Sequence, residues 1–250
     1  MSEMTMKLSV IIPAHNEEDC ISPTLEALIK TLESSNIDYE ILAVADHCTD
    51  STETILEKFA GGNSRIKWAR NEKEAGFGMA VRAGLDLYTG DAAAIFMADS
   101  SDSPSDIVSY FRLIENGSEC VFGSRFIKGS KVIDYPVHKL FLNRLVNFGI
   151  KLIFRHGYND TTNAFKCYRR EVIDGCRPFL SKHFNLTVEI PLKAFLRGYT
   201  FMVIPISWHN RKAGISKLKI KEMGSRYLFI ILYCVLEKLL SHRDYFREKH

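Results

Sequence analysis

Two carboxylates separated by hydroxyls end an apolar run in Ala94-Ile95-Phe96-Met97-Ala98-Asp99-Ser100-Ser101-Asp102-Ser103-Pro104. If residues 92–97 form a buried parallel strand, Asp99 lies just past its carboxyl end, where open α/β sheets bind ligands. Oxygen donors in that place suit a hard divalent cation carrying a nucleotide diphosphate. An Asp-rich turn in which Pro104 opens the next helix accounts for the same residues without any chemistry. Two other strand ends weigh against that plainer account. Ile11-Ile12-Pro13-Ala14-His15-Asn16-Glu17-Glu18 follows the first apolar run, and Val44-Ala45-Asp46-His47-Cys48-Thr49-Asp50-Ser51-Thr52 follows the second. Each is an ordinary turn alone. Together they bring polar groups to one sheet edge, and Asp46 is placed to accept a hydrogen bond from a base N–H or a ribose hydroxyl. One shared nucleotide site is the economical explanation.

The elements that must position these groups alternate in the first half of the chain. Strands are predicted over 8–12, 39–45, 65–69, 92–97 and 119–122. Helices are predicted over 17–33, 51–59 (Asp50 as N-cap), 75–88 and 106–116, the last ending at Gly117. Such alternation implies an α/β fold with a mostly parallel central sheet and helices on both faces. In the second half, 136–154 is apolar with Lys139, Arg144 and Lys151 spaced through it, a pattern of interfacial helices. A helix pair buried in the protein is the other reading. A polar turn over 160–170 leads into a short strand, followed by a helix over 185–196 and a strand over 199–206. A basic Gly/Ser loop over 211–221 precedes a final amphipathic helix over 223–240. Phe195, Phe201 and Trp208 are expected in the core. Gly76-Phe77-Gly78 is no dinucleotide fingerprint, because it lacks the third glycine and does not follow the first strand.

A net charge of +3 over 250 residues gives no case for nucleic acid. Its distribution is more informative: residues 124–155 hold seven Lys/Arg and one acid, Asp134. That asymmetry points to an anionic ligand or a membrane surface met by the second half. Six cysteines lack CxxC pairing and several lie in apolar runs, as for buried free thiols in a reducing compartment. No basic-then-apolar leader is evident. The longest clean apolar run, 227–236, is roughly half the ~20 residues of a spanning helix. A cytoplasmic protein, peripheral on a membrane, is the expectation.

The ordered motifs resemble family 2 glycosyltransferases of the GT-A fold, in the branch of dolichol-phosphate mannosyltransferases and related polyprenyl-phosphate glycosyltransferases. The likeness runs over about residues 7–220. Pro13–Glu18 is similar to the first nucleotide-binding turn, Asp46 with Thr49-Asp50 to the second, and Gly76–Leu85 to the glycine-containing third helix. Met97-Ala98-Asp99 stands at the metal-binding DxD. Gly123-Ser124-Arg125, Asp160–Arg170, Glu189 and Arg211–Lys217 match later motifs in order. The departures are Met97 for the first Asp of DxD, Ala45 for the first Asp of the second turn, and His15 for a frequent Tyr.

The resemblance implies one glycosyltransferase domain over 1–220, with an amphipathic helix and tail over 221–250. It implies an inverting transfer from a nucleotide-diphosphate-sugar (GDP-mannose or a UDP-sugar) to a polyprenyl or dolichyl phosphate. Mg2+ or Mn2+ is assigned to Asp99, with Ser101 and Asp102 supplementing it. Pro13, His15, Glu17, Asp46 and Asp99 are the nucleotide-binding set. Arg125, Arg211 and Lys217 are to meet diphosphate or acceptor phosphate, the last two on a mobile loop. Asp99, Arg125 and Arg211 are the residues expected to carry catalysis. A phosphate acceptor is already ionised at neutral pH, which suits the lack of a His–Asp pairing. A membrane surface, and a homo-oligomer or membrane-anchoring subunit, complete the expected partners. A glycan-hydroxyl acceptor, or a nucleotide-sugar-binding protein with weakened catalysis, are the competing readings.

Overall fold

The computed structural model describes residues 6–210 and 220–247. Its centre is a seven-stranded sheet: β1 (Lys7–Ala14), β2 (Asp38–Ala45), β3 (Ile66–Arg70), β4 (Ala92–Ile95), β5 (Cys120–Ser124), β7 (Lys166–Arg169) and β8 (Phe201–Pro205). The strand order is β3-β2-β1-β4-β7-β5-β8. Every pairing is parallel except those of β7, which runs antiparallel to both β4 and β5. The order reverses at β1: β2 and β3 lie on one side of it and β4 on the other. A crevice opens at the carboxyl ends where a sheet reverses in this way.

Near-continuous burial of β1 and β2 reflects helices on both faces. On one face α1 (Ile21–Ser34) turns Ile21, Leu25, Leu28 and Leu32 inward at 3.6-residue spacing. Each such side chain contributes ~1.5–3 kcal/mol by leaving water. Alongside lie α2 (Thr52–Gly62) and α4 (Pro104–Glu115), and Pro104 opens α4 as its sequence position predicts. On the other face α3 (Phe77–Leu87) packs with α6 (Arg170–Gly175) and α7 (Leu186–Leu196). α5 (Val137–Phe154), α7 and α8 (Ile220–Leu240) share a further apolar cluster through Ile150, Phe154, Val188, Leu192, Ile230 and Cys234.

Several local expectations are corrected. α1 begins at Ile21 rather than at residue 17, because 17–20 turn tightly, with the Cys20 N–H donating to the Glu17 carbonyl. Ser51, not Asp50, is the N-cap of α2; Asp50 nevertheless accepts the Thr52 N–H at 3.0 Å from one place earlier. β6 (Lys131–Ile133) and β9 (Ser207–His209) pair as a separate parallel ribbon, too short for any periodicity to announce. That ribbon carries Trp208 to the ligand cavity instead of the core. The six cysteines are free thiols, all buried but Cys48, which is half-buried.

Candidate active site

At the carboxyl ends of β1, β2 and β4 lies a cavity of about 810 Å³, within the range of small-molecule sites. Pro13, His15, Glu17, Asp46, Asp99, Ser101, Asp102 and Arg125 all line it or its floor, so the structure brings eight sequence-derived residues into one place. Arg211 and Lys217, the other two, lie outside the described residues.

The β2 side is a hydrogen-bonded mount. Asp46 is buried; its Oδ1 accepts the Asn71 Nδ2–H at 2.7 Å and its Oδ2 accepts the Gly76 N–H at 2.9 Å. Asn71 also donates to the Glu74 carbonyl. The carboxylate therefore ties the end of β3 to the start of α3, and any ligand donor must share it. The imidazole of His15 meets the Asp46 carbonyl oxygen through Nδ1, which must then carry the proton. Asn71 was missed in the sequence. It is the first residue past the third strand, and the same strand-end reasoning would have found it.

The β4 side carries the two carboxylates. Asp99 and Asp102 are buried, 5% and 4% exposed, which decides that neither charge is simply solvated. Asp99 Oδ1 accepts the Ser101 N–H at 3.1 Å, and the hydroxyls of Thr24 and Ser100 hold the turn between them at 2.6 Å. Asp102 reaches back towards the Met97 N–H, 3.4 Å away. Burial, then the neighbouring Asp99 charge, pushes the Asp102 carboxyl up to about 7. Two crowded carboxylates and the Ser101 residue form a hard-oxygen donor set of the kind that a divalent cation neutralises. Among the described residues no group of three or more His, Cys, Asp or Glu could hold a metal. The remaining ligands would therefore come from phosphate oxygens and water.

Arg125 is in the wall, but its guanidinium is engaged. Nε and Nη2 donate to Asp160 at 2.8 and 2.7 Å, and its backbone N–H adds a third bond at 3.0 Å. Asp160 is fully buried and the Arg125 side chain 9% exposed. The rings of Phe126, Tyr135 and Trp208 surround the cation. The fork expected for phosphate is thus held on a carboxylate, and the pair presents little net charge. Lys139 of α5 and Arg226 of α8 also line the cavity. The sequence marked Lys139 only as part of a basic helix face, because nothing local shows that the first turn of α5 abuts the site.

The loop 160–164 forms another part of the wall. Lys166, fully buried, donates Nζ to the carbonyls of Thr161, Asn163 and Thr187, and burial draws its ammonium down to about 7. Asn143 and Asn147 of α5 both donate to the Thr162 hydroxyl at 2.9 Å. Glu189 stands apart from the chemistry, pairing with Lys193 and accepting the Leu180 and Ser181 N–H groups.

Comparison with known proteins places this architecture. Residues 9–176 match the model of glycosyl transferase family 2. A polyprenol monophosphomannose synthase of Mycolicibacterium smegmatis is 26% identical over 86% of this chain and 82% of its own length. A dolichol-phosphate mannosyltransferase of Pyrococcus furiosus is 32% identical over 87% of this chain, which spans 61% of that relative. Among solved structures, glucosyl-3-phosphoglycerate synthase of Mycobacterium tuberculosis with Mn2+, UDP-glucose and phosphoglyceric acid superposes with a TM-score of 0.71. It is 16% identical and covers 92% of this chain and 80% of that one, a likeness of fold.

Proposed function

The chain belongs to glycosyl transferase family 2, and we propose that it moves a sugar from a nucleotide-diphosphate-sugar to a polyprenyl phosphate at a membrane surface, inverting the anomeric carbon. The observation that carries this reading is that two helices contributing to the cavity wall, α5 and α8, also carry exposed apolar surface. Lys139 of α5 and Arg226 of α8 both line the cavity. Of these helices, α5 exposes Phe141, Phe148 and Leu152 at 72%, 65% and 66%, and α8 exposes Leu232, Leu236 and Leu239. A water-soluble acceptor gives no reason for so large an apolar surface beside a site. No helix among the described residues is long and apolar enough to cross a membrane. The two helices therefore lie along the headgroups, where each Lys or Arg near an anionic surface contributes about 1 kcal/mol.

In this reading the nucleoside lies on the His15–Asp46 side and the diphosphate over Asp99. Asp99 and Asp102, with Ser101, would hold Mg2+ or Mn2+, which would offset charge on the leaving diphosphate. The acceptor phosphate comes from the bilayer side, where Lys139 and Arg226 meet its charge. Its oxygen is already ionised, so the chain needs to orient it and exclude water rather than remove a proton. The Arg125–Asp160 pair stiffens the wall between the two phosphate regions.

The test is transfer of radiolabelled mannose or glucose from GDP-mannose or UDP-glucose to a polyprenyl phosphate in anionic vesicles with Mn2+. Label should enter the organic phase as a glycolipid. The protein should co-sediment with these vesicles, less so with added salt or with Lys139, Arg144 and Lys151 changed to Glu. Label passing only to a soluble glycan hydroxyl would overturn the reading.

A further inference from the structure

The Gly76-Phe77-Gly78 motif has a use in this structure that its sequence does not announce. A Cβ on Gly76 or Gly78 would fall within 2.4–2.8 Å of the backbone or ring atoms of Lys182 and His183. Only glycines let the start of α3 lie this close to that segment. The Met79 N–H, donating to the Lys182 carbonyl at 3.1 Å, fastens the contact. Between the two glycines Phe77 lies flat against Phe184, with ring centroids 4.2 Å apart and planes within 10°. Both rings line the ligand cavity and both are only half-buried. Two glycines and a backbone hydrogen bond thus mount a flat aromatic wall in a polar pocket.

We propose that the Phe77–Phe184 pair is the platform on which the nucleobase of the donor stacks. This rests on the reading of the cavity as a nucleotide-sugar site. Its position selects the base over the sugar. Gly76, next to Phe77, is held by Asp46 at the end of β2, whereas the cation-binding carboxylates follow β4. One strand, β1, lies between them, so the two ends are about 10 Å apart at ~4.8 Å per strand. That separation suits a nucleoside diphosphate with its phosphates at Asp99 and its base at Phe77. Aromatic stacking accepts any base, so the wall supplies affinity while groups such as His15 and Asp46 supply selection.

Calorimetric titration with UMP and GMP, and separately with pyrophosphate plus Mn2+, tests the assignment in wild type, Phe77→Ala, Phe77→Tyr and Phe184→Leu. Phe77→Ala and Phe184→Leu should lose at least tenfold in affinity for whichever monophosphate the wild type binds, about 1.4 kcal/mol. Their affinity for pyrophosphate with Mn2+ should stay within twofold, as should monophosphate binding by Phe77→Tyr. A parallel loss of pyrophosphate affinity would reduce the pair to a shaping role and overturn the proposal. So would unchanged monophosphate binding with weakened nucleotide-sugar binding, which would assign the wall to the sugar. If Phe77→Ala does not fold, Phe184→Leu decides. A wild type that binds neither monophosphate refutes the nucleotide reading itself.

Discussion

Breaking the Arg125–Asp160 pair should destabilise the protein more than any other single change in the cavity wall. Asp160 has no exposed surface and takes three N–H donors from one residue. Removing one partner of such a pair leaves the other charge buried and uncompensated, at a cost of about 3–5 kcal/mol. Arg125→Met leaves Asp160 with a single backbone donor, and Asp160→Asn leaves the guanidinium without an anion. With a urea m-value of about 2–3 kcal/mol/M, either change should lower the unfolding midpoint by about 1–2 M. The double variant removes both charges together, so its loss should fall short of the sum by at least about 2 kcal/mol. Turnover should drop in both single variants, because each residue aims the other. Losses that add, or single losses under about 1 kcal/mol, would refute the buried-pair argument. Sustained turnover in Asp160→Asn with stronger binding of inorganic phosphate would return Arg125 to the role of a phosphate ligand.

Asp99→Ala should abolish the Mn2+-dependent gain in nucleotide affinity while leaving the circular dichroism spectrum unchanged, as calorimetry with and without Mn2+ will show. Met97→Asp, which restores a carboxylate at the strand end, should tighten Mn2+ binding measured by electron paramagnetic resonance. Burial alone would raise the Glu40 carboxyl, but hydrogen bonds from Ser9, Lys67 and Thr89 outweigh it and bring it from 4.5 down to about 2. This stability, on the order of 3 kcal/mol, is present above pH 4.5 and disappears as pH falls to about 2. Glu40→Gln should therefore be less stable at pH 7 and show a flatter acid dependence of its melting temperature, with neutral-pH turnover retained. Arg211→Ala should lower turnover by at least about tenfold, the loss of a charge-assisted contact worth ~1.5–3 kcal/mol.

Local chemistry was enough to read most of this molecule from its sequence. Polar groups after the first, second and fourth strands share a cavity because parallel strands all end on the same edge. The spacing of Ile21, Leu25, Leu28 and Leu32 determined an inward helix face, and Pro104 determined where α4 opens. Basic and apolar residues alternating over 136–154 determined a helix with an unusual outer surface. These properties depend on neighbours within a few residues, which is the range over which a sequence can be read directly.

Tertiary structure decided what each charged or aromatic group does once it arrives. Nothing in residues 166–169 shows that their strand runs against its neighbours, since strand direction depends on the path of the chain through α5 and the loop after it. Lys166 is a buried clamp for that reason. Arg125 reads from its sequence only as a basic group near the site, and folding supplies its carboxylate partner, Asp160, 35 residues away. Trp208 looked like core until a three-residue ribbon turned it to the cavity. Phe77 and Phe184 are 107 positions apart and form a wall only because two glycines let α3 touch the segment before α7. A side chain's role follows from what lies within a few ångströms of it, and for these residues folding alone brought those neighbours together.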